Sequence, residues 1–148
     1  MSASYNVPSP GNLGVVDSAN LNGVIFASAA RNQTDDPTGD GAGVYVSGEM
    51  HNTSALGVDI FADTTSTGTG TVAVKLQKKD PASGNWYDIA GATTGAIADP
   101  ADVVLTVYPG IAETANVSVS DHLGGTWRVH ATVATAAVTF SVGAVYLG

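Results

Sequence analysis

The sequence predicts an all-β protein: an antiparallel β-sandwich, immunoglobulin-like or jelly-roll, with an extended N-terminal arm. Three observations carry that prediction. Val (19) outnumbers Leu (7), with Ala (22), Gly (18) and Thr (16) supplying much of the remainder. β-Branched side chains suit a pleated surface better than a helix. Short alternating runs recur between Gly, Pro, Asn and Asp turns, the pattern of a multi-stranded sandwich. No segment shows an apolar period of about 3.6 residues with helix caps.

The elements follow in order. Residues 1–22 hold Pro8, Pro10, Gly11, Asn12, Gly14, Asn20 and Asn22 among scattered apolar residues, so they cannot bury enough surface to fold alone. They read as the arm, and 23–148 as one sandwich domain. A first strand is expected at Val24–Ala27, then a polar loop at 31–43, then a strand at Val44–Val46. Leu56, Val58, Ile60 and Ala62 alternate with Gly57, Asp59 and Phe61. The polar segment 63–70 separates that strand from Thr71–Lys79, the clearest of all. There Val72, Val74, Leu76 and Lys78 share one face, and Ala73, Lys75, Gln77 and Lys79 the other. The turn 80–85 returns the chain to Trp86–Ile89, making 71–89 a hairpin. Residues 90–102 read as a loop or weak strand. Val103–Tyr108 is a strand closed by Pro109-Gly110, and Val117 and Val119 mark a short one. The last two runs alternate through Trp127, Val129, Ala131 and Val133, then Val138, Phe140, Val142, Ala144 and Tyr146. Ala134–Ala136 is expected to join them as a C-terminal hairpin.

Composition excludes several functions. Only 12% of residues are charged, 13 acidic against 5 basic, a net charge of −8 that makes a phosphate backbone a poor partner. No apolar run approaches the roughly 18 residues of a membrane span. There is no Cys, hence no disulfide framework or thiolate chemistry. The N-terminus shows neither the basic nor the apolar region of a signal peptide.

Side chains that suggest chemistry have plainer readings. Ser120, Asp121 and His122 are consecutive, so in an extended chain they point to opposite faces and cannot align as a triad. Asp121 reads as a turn former. The three His have no zinc spacing. Asp35, Asp36 and Asp40 cluster in a Gly-rich loop, without the alternation or distal Glu of an EF-hand, and read as a solvated acidic loop rather than a calcium site. Asn32, Asn52 and Asn116 head sequons, which carry no weight without a secretory signal. Lys75, Lys78 and Lys79 place three of the five basic residues on one hairpin. They either guard a strand edge or meet an acidic partner. Trp86, Trp127 and Phe140 are expected to anchor the core, because few other large residues can fill it. A rival reading makes Trp86, Tyr87 and Tyr108 a glycan platform.

The ordered series TVAVKLQKKDPASGNWYDI (71–89), VVLTVYPG (103–110), Asn116–Val119, Thr126–Val129 and Phe140–Ala144 resembles small β-sandwich virion proteins of tailed bacteriophages. The resemblance covers about residues 55–148. Such proteins are similar to capsid decoration, or cement, proteins. It implies a non-enzymatic protein, without cofactor or metal, that binds the major capsid protein on the shell exterior, commonly as a homotrimer. A connector or tail component is the alternative virion role. On this reading the chain is made in a bacterial cytoplasm, and neither nucleic acid nor membrane is a partner. Contact candidates are Tyr5, Val7, Pro8, Leu13 and Val15 of the arm, the acidic Asp35, Asp36 and Asp40, and the hairpin Lys75, Lys78 and Lys79.

Overall fold

The computed structural model describes residues 22–148, and every regular element among them is a strand. The strands are β1 (Asn22–Arg31), β2 (Val44–Val46), β3 (Met50–His51), β4 (Gly57–Thr64), β5 (Thr71–Lys79), β6 (Trp86–Ile97), β7 (Ala101–Val107), β8 (Ser118–Val119), β9 (Thr126–Ala134) and β10 (Val138–Leu147). They form two sheets. The first runs β1-β10-β4-β7-β8; the second runs β2-β9-β5-β6, with β3 also paired to β9. All pairs are antiparallel except β7 with β8.

This wiring decides between the two sandwich types. If β2 and β3 are one interrupted strand and β8 is an appendage, eight strands remain. The first then pairs with the eighth, the second with the seventh, the third with the sixth and the fourth with the fifth. That nested set is one long antiparallel hairpin rolled up, which is a jelly roll.

The roll overturns one sequence expectation. β9 and β10 do not form a hairpin: β9 pairs with β2, β3 and β5, whereas β10 pairs with β1 and β4. The connection at Thr135, in a left-handed conformation (φ 75), carries the chain across from one sheet to the other. Both strands alternate, so each has one face to bury, and facing each other across the core buries both. β6 also runs further than expected, to Ile97. Between Asp88 and Thr93 it bulges against the two-residue step from Lys75 to Gln77, with Gly91 at φ 79. The bulge breaks the alternation that would have marked the segment as a strand.

The core lies between the sheets. Val72, Val74 and Leu76 of β5, Trp127, Val129 and Ala131 of β9, and Val138, Phe140 and Val142 of β10 are all buried. Trp127 Nε1 donates to the Tyr146 hydroxyl at 3.2 Å, and their rings meet edge to face at 6.0 Å, tying the second sheet to the first. Phe140 meets Phe26 edge to face at 5.9 Å. Arg31 lies over both of these rings and donates to the carbonyls of Phe140, Ala27 and Ala29. Half-burial pushes its guanidinium pKa below the usual Arg value. The residue thereby fastens the bulged end of edge strand β1.

Trp86 is not a core anchor. It stands half-buried on the outer face of the second sheet, whereas Trp127 and Phe140 are fully buried. The reason is strand parity. Trp86 shares a face with Asp88, while Ile89, three positions on, points inward.

Candidate functional site

Parity places two contrasting surfaces on the outside of the sandwich. On the second sheet, Lys75, Gln77 and Lys79 of β5 stand beside Asp88 and Trp86 of β6, and beside Arg128 and His130 of β9. These side chains form a connected ladder. Lys75 Nζ meets Asp88 at 3.1 Å. Gln77 donates to the same carboxylate at 3.0 Å and accepts from Arg128 Nε at 2.8 Å. The Arg128 guanidinium lies 4.4 Å from the Trp86 ring centre, and Lys79 Nζ lies 5.6 Å from it. Lys79 closes the row with Glu49 at 2.7 Å.

The ladder sets local charge. The hydrogen bond from Gln77 and then Lys75 hold the Asp88 carboxyl below the usual range, although partial desolvation opposes them. Lys79 does the same for Glu49. Burial, then the nearby Lys75 and Arg128 charges, lower the His130 pKa. Arg128 is lowered by burial, against the pull of Asp40 and Glu49. The face therefore holds two ion pairs and an Arg128 guanidinium braced on an aromatic ring.

The outer face of the first sheet is different. Register aligns Val24 of β1, Gly143 of β10, Phe61 of β4 and Val104 of β7 in one transverse row. Val24 is 54% exposed, and Phe61 and Val104 are 43% exposed. On one flank Asp59 accepts from the Thr106 hydroxyl at 2.5 Å. On the other, Asp63 and Asp102 stand directly opposite each other. A hydrogen bond between the two carboxyls requires a proton on one of them, and that requirement, with the repulsion of the ionised pair, raises the Asp63 pKa. Two like charges placed opposite on a sheet repel.

The residues singled out from sequence are distributed unevenly over these surfaces. Lys75 and Lys79 join the ladder. Lys78 has the opposite parity and is exposed, so the three lysines do not make one patch. Asp35, Asp36 and Asp40 lie in the loop between β1 and β2. Asp36 accepts from Gly41 N at 3.2 Å, and the Asp35 carbonyl accepts from Gly43 N at 2.7 Å. No group of three His, Asp or Glu able to hold a metal ion occurs among the described residues. Tyr5, Val7, Pro8, Leu13 and Val15 lie outside the described residues. Ser120 accepts from Gly110 N, and Asp121 accepts from the backbone N–H of His122, so neither hydroxyl nor carboxylate is paired with the imidazole. The glycan platform is not assembled either: Trp86 and Tyr87 point to opposite faces, and a guanidinium lies against the Trp86 ring.

Sequence reading did not find Arg128 and Glu49 as partners of the hairpin, because β9 and the segment before β3 reach it only in the folded sheet. It also passed over Phe61 and Val104. For Phe61 a signal existed: its alternation with Val58, Ile60 and Ala62 assigns it outward. For Val104 the run Val103-Val104-Leu105 hides the parity.

No family model, curated protein or solved structure matches the chain.

Proposed function

We propose that this chain is a non-enzymatic structural virion protein that decorates a tailed-phage capsid, binding the major capsid protein from outside as a homotrimer. The observation that supports the reading most is the exposed Val24–Phe61–Val104 row on the outer face of the first sheet. Contiguous apolar residues on a surface mark a contact site, because leaving them in water forgoes their burial. The row starts on β1, the strand that residues 1–22 lead into. An arm joined to an apolar face gives many modest contacts. Repeated over a shell they add up through avidity. The jelly roll is also an architecture of capsid and lectin domains, which supports the reading by analogy of fold alone.

Deletion of residues 1–22 tests it. The truncated chain is expected to keep the β-sheet circular dichroism of the full protein and to lose its addition to undecorated shells. Wild-type occupancy by the truncated chain overturns the arm's role. Mass spectrometry of separated heads and tails tests the location: the chain is expected with heads, in numbers that scale with shell area. Recovery with necks or tails would assign it to the connector or tail instead.

A further inference from the structure

We propose that a second copy of this chain docks on the outer face of the first sheet, seating its Lys78–Tyr87 pair on the Phe61–Val104 row beside Asp63 and Asp102. The contact deepens the oligomer proposed above and rests on that reading only for self-association; it needs no capsid.

Unmatched charge points to the contact. Of the five basic side chains, Lys75 and Lys79 are in ion pairs, Arg128 bonds to Gln77 and stacks on Trp86, and Arg31 is bound to three carbonyls. Lys78 is exposed and has no ion pair or hydrogen bond to another described residue. It is aligned with Tyr87, which is 52% exposed. One corner of the second sheet therefore presents a free ammonium beside an aromatic ring. On the first sheet, the Asp63 and Asp102 carboxyls face each other and have no cation among the described residues. They stand two residues along their strands from an exposed Phe and Val. Each corner offers an apolar element and a charge of the sign the other needs.

The other ways of covering the first sheet fit less well. Two copies related by a two-fold axis, face to face, would bring the Asp59 row of one against the Asp63–Asp102 row of the other, acid on acid. On the outer face of the second sheet Lys75 and Lys79 are in ion pairs and Arg128 is held by Gln77 and the Trp86 ring, so docking there would break contacts rather than complete them. The Lys78–Tyr87 corner belongs to another sheet and strand pair, so the contact is heterologous, and its repetition closes a ring or extends a chain.

The test is sedimentation velocity on the full-length protein across a concentration series. Wild type is expected to associate. Lys78→Asp and Asp102→Lys are each expected to raise the dissociation constant about tenfold or more, since each sets like charges against one another. Both substitutions are on the surface, and circular dichroism is expected to match wild type. The double variant, with Lys78→Asp and Asp102→Lys on the same chain, is expected to associate again, because every junction then sets the introduced carboxylate against the introduced ammonium. Phe61→Ser is expected to weaken association in both the wild-type and the double-variant background. A wild type that stays monomeric, single variants that associate normally, or a double variant that stays dissociated each overturns the contact. Association without shell binding sustains the contact and defeats the capsid reading; shell binding by a monomer does the reverse.

Discussion

Trp86 and Trp127 belong to the same sheet, two strands apart, and meet opposite environments. Trp127 points inward, is fully buried, and shares a hydrogen bond and a ring contact with Tyr146 across the core. Trp86 points outward and carries Arg128 on its ring. The difference extends to whole surfaces. Inside, aromatic groups join the sheets; on the second sheet's outer face, an aromatic group spaces charges; on the first sheet's outer face, Phe61 has neither role. In a chain this poor in large residues, each aromatic position has a separable task.

The largest effect should come from the inner tryptophan. Trp127→Ala removes a fully buried indole at the junction of the sheets and is expected to cost about 3–5 kcal/mol, as core Trp truncations do. For a domain with typical stability this approaches loss of the fold. Urea denaturation followed by far-ultraviolet circular dichroism measures it. If Trp127→Ala lost no more stability than Trp86→Ala, the contrast between the two residues would be wrong.

That contrast also shows what the chain reveals when read alone. The period-two runs at 71–79 and 126–134 are legible because each has one wet and one dry face, and Trp127 falls in phase with Val129, Ala131 and Val133. Size weighed over parity misplaces Trp86 in the core, although Asp88 two positions on marks its face as wet. Strand order is not legible: β9 and β10 each alternate, and alternation says which face is buried without saying against what. The Arg128 end of the Arg128–Gln77–Asp88 ladder is hidden for the same reason, since β9 meets the β5–β6 hairpin only through the roll.

The outer tryptophan gives a smaller, sharper test. Arg128 stacks on Trp86 and also donates to Gln77, so a double-mutant cycle of Trp86→Ala and Arg128→Ala separates the ring contact from the hydrogen bond. A coupling of about 0.5–1 kcal/mol is expected for a cation over a ring at a partly exposed site. Arg128→Ala alone should cost more than the coupling, because Gln77, only 8% exposed, loses a partner. A coupling near zero would reduce the stack to mere proximity.

The smallest effects separate the two outer faces by sign. Asp88 has a depressed pKa, owing first to Gln77 and then to Lys75. Its stabilisation is present above the unfolded Asp value and is lost as pH falls through the folded one. Asp63 is raised by Asp102, so on that face the folded state takes up the proton more readily than the unfolded chain. Ionisation there destabilises, and stability is gained as pH falls through the raised value. His130, depressed mainly by burial, adds a loss of stability as pH falls below the unfolded His value. Asp88→Asn should therefore destabilise near neutral pH and converge on wild type in acid. Asp102→Asn should stabilise near neutral pH, by relieving the repulsion, and also converge in acid. Urea midpoints of both variants across the carboxylate titration range decide the matter. Shifts of the same sign at neutral pH would mean that the first sheet's carboxyl pair carries no repulsion, and the two faces would differ in exposed apolar surface alone.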